Sequence, residues 1–485
     1  MNIRGRDGFA TPLRVLLILA CLAIRLVALD SDPPPWLSWS TGLYTDEGFY
    51  TSDARHLALF GTTAPGDFHD RLLSPLLSVL QQGVFSVFGS GIVPARLIGV
   101  AFGLGTVGVF WLGLRRAYGP AVADFGALFL GLSPVFALYN RMALQETPTV
   151  FWLTLAFMLW TYGVSQEGRW RSVLLGLAGL AAAVAVVFKG LAVMVVAAPL
   201  ISESQEKSGG KPHPYLRSLP SVAGLFLGLA LYGLLWYAPH HAELSRMGTY
   251  YRVHQIQPHS WHSLGMNVRR GVIGGERGVL PFLLATLPVP CLLTAWALTR
   301  RATLADRYLI LWLSGGLLFC LLSSYAPSRY YVLFLPPLAG LASRGVAEFR
   351  RPAQATAGLL FLLTSLAWYG VAWAERSDAG RDAGRALVRT LPLGSVVIGD
   401  FAPAICRETR FAAMMVQPGL ANDDQPVERL GATHVVIVRN AKSWQDWWQV
   451  RYPNVIQPSH RVATFDLGGS RHYVVDVYAV KEGRR

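Results

Sequence analysis

The chain has 485 residues, 52% of them hydrophobic and 15% charged. Its apolar runs recur at the ~20 residues that a helix needs to cross a hydrocarbon core of ~30 Å, which excludes a soluble multidomain protein. The net charge of +14, from 43 basic and 29 acidic residues, does not point to nucleic acid, because Arg and Lys gather in short loops between apolar runs, as in cytoplasmic loops of membrane proteins.

In chain order, the run Leu13 to Leu29 follows Arg4, Arg6 and Arg14 without a small-residue cleavage site, and reads as a retained signal-anchor span. Further runs are Leu72 to Phe88, Pro94 to Leu114, Pro120 to Tyr139, Pro148 to Val164, Ser172 to Leu200, Leu219 to Ala238, Val279 to Thr299, Tyr308 to Ser323, Tyr330 to Ala342 and Ala353 to Ala374. If every run crossed once, Arg115 and Arg116 would lie outside and Arg141 to Glu146 inside, against the positive-inside tendency. Placing Leu72 to Phe88 at the outer interface repairs this, and Ser74, Ser78, Gln81, Gln82 and Ser86 supply a partial polar face. The stretch Arg169 to Leu200 would extend ~45 Å as one helix. Lys189-Gly190 interrupts it, so two short helices meeting near Lys189 are expected.

With those two changes the clusters Arg4/Arg6/Arg14, Arg115/Arg116, Arg169/Arg171, Lys207/Lys211/Arg217, Arg300/Arg301/Arg307 and Arg344/Arg350/Arg351 share one side. The expectation is a mainly α, polytopic protein of about eleven membrane helices, multi-pass in a bacterial inner membrane, with a cytoplasmic N-terminus. Asp46/Glu47, His69/Asp70/Arg71, Arg141/Glu146, Lys189, the loop His240 to Gly278 and Ser328 to Tyr330 then collect on the outer face.

Residues 1–375 read as the membrane domain and 376–485 as a small extracytoplasmic α/β domain. In the latter, a helix over Arg381 to Thr390 precedes a strand at Ser395 to Gly399, and Val427 to Gly431 leads to a strand at His434 to Val438. Trp444 to Tyr452 looks helical, and Arg461 to Leu467 with His472 to Val480 form a hairpin about Gly468-Gly469-Ser470. Cys21, Cys291 and Cys320 lie in spans and Cys406 stands alone, with no metal-type spacing and no disulfide framework.

The adjacent acids Asp46 and Glu47, within Tyr44-Thr45-Asp46-Glu47-Gly48-Phe49-Tyr50, stand where the first span meets water. Partial desolvation there tunes carboxylates for proton transfer, whereas full solvation makes them an ordinary loop pair. Lys189 breaks a long apolar run, which is costly unless the side chain snorkels or meets an anion. Arg329 can fork onto a phosphate with Tyr330 as a further donor, although Tyr330 and Tyr331 equally suit an interfacial aromatic belt. His254, His259 and His262 lack a strong metal-ligand signature and fit solvated loop histidines.

Arg25 closing the first span, followed by the stretch Tyr44 to Tyr50, resembles the C-type glycosyltransferases (GT-C fold), specifically the bacterial protein-O-mannosyltransferase-like and aminoarabinose-transferase-like (ArnT-like) group. The resemblance implies Asp46 as catalytic base, with Glu47 and Glu146 as further catalytic acids and Tyr50 in support. Ser74-Pro75-Leu76-Leu77 to Val87-Phe88-Gly89 resembles the group's interfacial helix, with one proline where two are usual. Asp70-Arg71 match the acid and base that precede that helix. Arg141 with Glu146 resembles the second-loop motif, in which the acid is more commonly Asp. Glu146 there orients the acceptor, holds a metal or stabilises Arg141, and an ion pair at a helix end is the plain alternative. Val187-Phe188-Lys189-Gly190 looks like the Lys-Gly break facing the lipid phosphate, and Ser328-Arg329-Tyr330-Tyr331 resembles the basic-aromatic segment before a proline-containing span.

Together the resemblance implies transfer of a sugar from a polyprenyl-phosphate donor to a lipid, glycan or protein acceptor, with inversion. Lys189, Arg71, Arg329, Tyr330 and, from the long loop, Arg252 would hold the donor phosphate. Asp70 and Arg141 would support the site. No nucleotide or redox cofactor is required, and a divalent metal is compatible but not required. The rival reading is a flippase for a lipid-linked sugar, which would carry its charges nearer the bilayer midplane and often shows repeated halves.

Overall fold

The computed structural model describes residues 8–38, 40–67, 69–196, 198, 215–252, 260–439, 442–468 and 473–480. Arg4, Arg6, Lys207, Lys211, His254, His259, Gly469, Ser470 and His472 lie outside the described residues, as does the side chain of Arg217.

Among the described residues, five helical stretches are long and apolar enough to cross a bilayer: Ile92–Tyr118, Gly168–Phe188, Ser218–Tyr237, Leu304–Leu322 and Arg351–Thr390. The pair Val279–Thr286 and Pro288–Leu298, bent by 110°, makes up to six. The expected eleven do not emerge by this criterion, because other apolar runs fold into shorter or broken helices. Leu13 to Leu29 yields a helix of 16 residues, Thr11–Leu26. Pro120 to Tyr139 breaks at Ser133-Pro134 into Pro120–Gly131 and Pro134–Tyr139, since a proline cannot donate to the preceding turn. Tyr330 to Ala342 begins as a 3-10 turn, Ser328–Phe334, before the helix Leu335–Ala347 opens on Pro336 and Pro337.

The break at Lys189 is present, but its first arm is a full helix of 21 residues, Gly168–Phe188, followed by a 3-10 turn over Gly190–Met194. The helix Pro75–Phe88 has 14 residues, or ~21 Å, too short to cross. Its polar face is turned differently from expectation. Ser74, Ser78 and Gln81 are buried against the protein, while Val79, Leu80, Val87 and Phe88 are exposed.

The 27-residue helix Ile92–Tyr118 fixes the two ends of the molecule. Near its start Arg96 meets Glu47 at 2.6 Å. At its far end Tyr118 donates to Asp306 at 2.8 Å, and Asp306 pairs with Arg344 at 3.1 Å. Arg116, Arg300, Arg301 and Arg344 line one cavity there. Basic clusters assigned to a single side of the membrane are therefore brought together, at the end away from Asp46.

The C-terminal part is a five-stranded sheet: β1 (Val396–Gly399), β2 (Ala412–Met414), β3 (His434–Val438), β4 (Arg461–Asp466) and β5 (Val474–Ala479). The order is β2-β1-β3-β5-β4, with β1 parallel to β2 and β3, and β5 antiparallel to β3 and β4. Every residue of β3 is buried, as expected of a strand covered on both faces. Helices Ala379–Thr390 and Lys442–Arg451 accompany the sheet.

This unit is tied to the Asp46 end of the membrane part by buried polar contacts. Arg55 Nη2 donates to the carbonyls of Thr409 at 2.7 Å and Phe411 at 2.9 Å, and Arg407 pairs with Asp32 at 3.2 Å. A Cβ at Gly48 would collide with the backbone of Ala404, so that glycine lets the short helices Gly42–Tyr50 and Ala402–Ile405 pack closely.

Candidate active site

The helix Gly42–Tyr50 presents its two acids to different surroundings, because successive side chains diverge by ~100° around an α-helix. Glu47 points inward. Its oxygens accept from Arg96 Nε at 2.8 Å, Arg96 Nη2 at 2.6 Å and the Ala143 backbone N–H at 2.9 Å, and Arg407 Nη1 lies 3.5 Å away. Burial alone would raise its pKa, but Arg96 and Arg407 outweigh that and hold it below the usual carboxylate value. Glu47 has no face on the cavity beside Asp46.

Asp46 faces that cavity and keeps 19% of its side chain exposed. Burial raises its pKa and Arg329 partly offsets the rise. Arg329 Nη2 lies 2.9 Å from Asp46 Oδ2, and Arg329 Nε lies 3.5 Å from Glu146 Oε1. The same Glu146 oxygen accepts from Lys189 Nζ at 2.7 Å. Tyr330 roofs both cations, with Lys189 Nζ 4.6 Å and the Arg329 guanidinium 5.1 Å from its ring centre. Gly42 permits this approach, since a Cβ there would strike the Arg329 guanidinium.

Two acids and two bases therefore alternate in one buried cluster. Asp46 Oδ2, Glu146 Oε2 and Arg329 Nε nevertheless have no aligned hydrogen-bond partner. Buried polar atoms left in that state are unfavourable, and they mark a place where a ligand would complete the network.

The cavity, of about 170 Å³, is lined on the membrane side by Asp46, Tyr50, Tyr251, Tyr325, Arg329 and Tyr330. The structure thus brings together Asp46, Glu146, Lys189, Arg329 and Tyr330, with Tyr50 on the same wall. Asp70, Arg141 and Arg252 make their contacts elsewhere. Arg71, like Lys189 and Glu146, lies outside this lining, with its Nε buried and unbonded. Asp70 accepts from the Asp53 backbone N–H at 3.0 Å, in a cluster where His69 Nδ1 sits 2.9 Å from Asp53. Burial and the Asp53 charge push the Asp70 carboxyl well up. Arg141 caps the end of the first helix by donating to the Ile24 and Ala28 carbonyls, and lines a separate cavity of about 280 Å³. Arg252 is exposed, and its neighbour Tyr251 reaches the cavity instead.

Sequence reasoning missed the partners Arg96 and Arg407, and the opposite wall of the cavity. That wall is Asp400, Met415, Gln417 and Leu420 from the C-terminal sheet unit. Burial, followed by the nearby Asp46 charge, pushes the Asp400 carboxyl up to about 7. The available signal was a polar residue directly after a parallel strand, where α/β proteins present ligand-binding groups. No group of three or more His, Cys, Asp or Glu placed to hold a metal ion occurs among the described residues, and His262 is exposed.

The sequence pattern of the family described as dolichyl-phosphate-mannose-protein mannosyltransferase matches residues 73–232. No curated protein matches the chain by sequence. Among solved structures, ArnT from Cupriavidus metallidurans bound to undecaprenyl phosphate is similar over 98% of this chain and 99% of its own, with a TM-score of 0.67 and 14% identity. The archaeal oligosaccharyltransferase AglB from Archaeoglobus fulgidus, in complex with an inhibitory peptide and a dolichol-phosphate, is similar over 88% of this chain and 69% of its own, with a TM-score of 0.54 and 12% identity. Mycobacterial arabinofuranosyltransferase AftD is similar over 98% of this chain and 42% of its own, with a TM-score of 0.52 and 13% identity. The chain has the GT-C fold in its ArnT-like form, with the C-terminal sheet unit included.

Proposed function

We propose that this chain is an integral membrane glycosyltransferase that takes a sugar from a polyprenyl-phosphate donor at the outer side of the membrane. The observation that carries the reading is the convergence of a cavity-facing Asp46 with Lys189, Arg329 and Tyr330 in one incompletely bonded cluster. The ArnT relative bound to undecaprenyl phosphate and the AglB relative bound to dolichol-phosphate support a lipid-phosphate donor.

The acceptor's hydroxyl or amine attacks the anomeric carbon as the bond from that carbon to the phosphate oxygen breaks. The acceptor proton passes to Asp46, and the bonding electron pair leaves with the polyprenyl phosphate. One displacement inverts the configuration. Lys189 and Arg329 neutralise charge that grows on the departing phosphate, so each contributes to turnover as well as affinity. Glu146 holds Lys189 and Arg329 in register before the donor arrives. Tyr50 lines the acceptor approach to Asp46, and the acceptor class is a hydroxyl- or amine-bearing lipid, glycan or protein. The chemistry needs no nucleotide, and a divalent metal is compatible with it but not required.

The test is release of free polyprenyl phosphate from a panel of labelled polyprenyl-phosphate sugars by purified protein in lipid. Wild type releases it, and Asp46→Asn and Lys189→Ala release it about 10³-fold and about 10²-fold more slowly. Donor movement across vesicles without release would favour the flippase and contradict the transferase.

A further inference from the structure

The cavity is closed by the carboxyl-terminal ends of two parallel strands. Asp400 directly follows β1, and Met415 and Gln417 follow β2. This is the edge at which open α/β sheets present their ligand-binding residues. Gly399 makes the delivery of Asp400 possible. Its φ of +135° is reserved for glycine, and a Cβ there would collide with the Val436 carbonyl of the adjacent strand. The chain therefore turns sharply at the end of β1, and the next side chain enters the cavity. The packing of Gly48 against the helix Ala402–Ile405 fixes this edge against the Asp46 helix.

Among the described residues no cation pairs with Asp400 and no group is seen to donate to it, although it lines a cavity that already contains Asp46. A carboxyl in that position is available to a ligand in the cavity. Gln417 is held by Tyr250, its Nε2 lying 2.9 Å from the hydroxyl, so its amide is oriented with the oxygen still available. Tyr251 and Tyr325 line the same cavity. A carboxyl and an amide accept and donate to neighbouring hydroxyls, and aromatic faces cover the C–H surface of a ring; together they suit a sugar rather than a phosphate or an acyl chain.

Resting on the glycosyltransferase reading, we propose that Asp400 and Gln417 bind the hydroxyl groups of the transferred sugar, so that the C-terminal unit selects which sugar the donor carries. The membrane half would hold the phosphate and the base, and the sheet unit would read the glycosyl group.

The experiment compares two affinities of the full chain in lipid nanodiscs: bare undecaprenyl phosphate, and undecaprenyl phosphate carrying glucose, galactose, mannose or arabinose. Wild type binds one sugar-bearing lipid more tightly than the bare lipid. Asp400→Asn and Gln417→Leu each reduce that ratio by about tenfold, the equivalent of one lost hydrogen bond. Both leave bare-lipid affinity within about twofold, because the phosphate cluster is untouched. Asp400→Asn keeps the shape of the side chain, so a folding failure is not expected to obscure the result. An unchanged ratio and unchanged sugar ranking in both variants would overturn the sugar-reading role while leaving the transferase intact. Wild-type protein that binds neither form of the lipid would overturn the transferase reading and this inference with it.

Discussion

Two clusters of opposite charge lie on either side of one short helix, and they differ in completeness. Around Glu47, the Arg96 guanidinium and the Ala143 N–H use the carboxylate fully, and Arg407 adds a second cation. Around Asp46, the ions are as close, yet Asp46 Oδ2, Glu146 Oε2 and Arg329 Nε lack aligned partners and the group opens onto a cavity. The first arrangement ties distant parts of the chain together; the second, on the reading proposed above, is completed by the donor. Unsatisfied groups beside a cavity are what single out Asp46 from its neighbour as the candidate base where residue type does not.

The largest expected effect comes from breaking the open cluster at its base. Asp46→Asn should lower turnover by about 10³-fold, in the range removed with a general base. Breaking the closed cluster should instead act on stability. Arg96→Met leaves Glu47 buried without its main partner, which costs about 3–5 kcal/mol, read as a lowered thermal midpoint of the detergent-solubilised protein. Lys189→Ala should reduce polyprenyl-phosphate release by about 10²-fold and weaken donor binding, without the stability loss of Arg96→Met. A stability loss equal to that of Arg96→Met would show that both clusters are structural.

A smaller effect sharpens the comparison through pH. Asp400 is raised to about 7 in the folded protein, against ~3.9 for an unperturbed Asp. The folded state therefore binds its proton more tightly than the unfolded state. The stability present below about pH 4 is lost as the pH rises through 7. Asp400→Asn should flatten that decline, so variant and wild type diverge most above pH 7 in thermal denaturation. The smallest effect belongs to Arg252→Ala, an exposed position outside the cavity lining. It should leave release of polyprenyl phosphate within about twofold.

Much of the site's position was legible in the sequence because charge in an apolar chain is costly and conspicuous. Lys189 interrupting an apolar run, Arg329-Tyr330 ahead of two prolines, and the acids after the first span all marked the same outer end. The facing of those acids was not legible. Two neighbours on a helix point ~100° apart, and the choice between them rests on Arg96 and Arg407, which lie far away in the chain.

The C-terminal strands at 395–399 and 434–438 were visible as β-branched runs, whereas β2, of three residues, was too short to signal itself. Its brevity hid the parallel edge that carries Gln417, and neither Gln417 nor Asp400 was singled out from the sequence. Asp70 and Arg141 were drawn toward the site by their order in the chain. The folded chain uses Arg141 on the carbonyls of the first helix and Asp70 beside Asp53. Where proline divides an apolar run, as at Ser133-Pro134, the pieces among the described residues fall below the length that marks a span by itself, so the expected count of about eleven membrane helices is not confirmed.

The most direct test of the difference between the two clusters is polyprenyl-phosphate release measured side by side on Asp46→Asn and Glu47→Gln, each first checked for its thermal midpoint. The account predicts Asp46→Asn protein that melts as wild type does but releases polyprenyl phosphate about 10³-fold more slowly, and Glu47→Gln protein that melts early but turns over while folded. Asp46→Asn protein that retains wild-type release would contradict it.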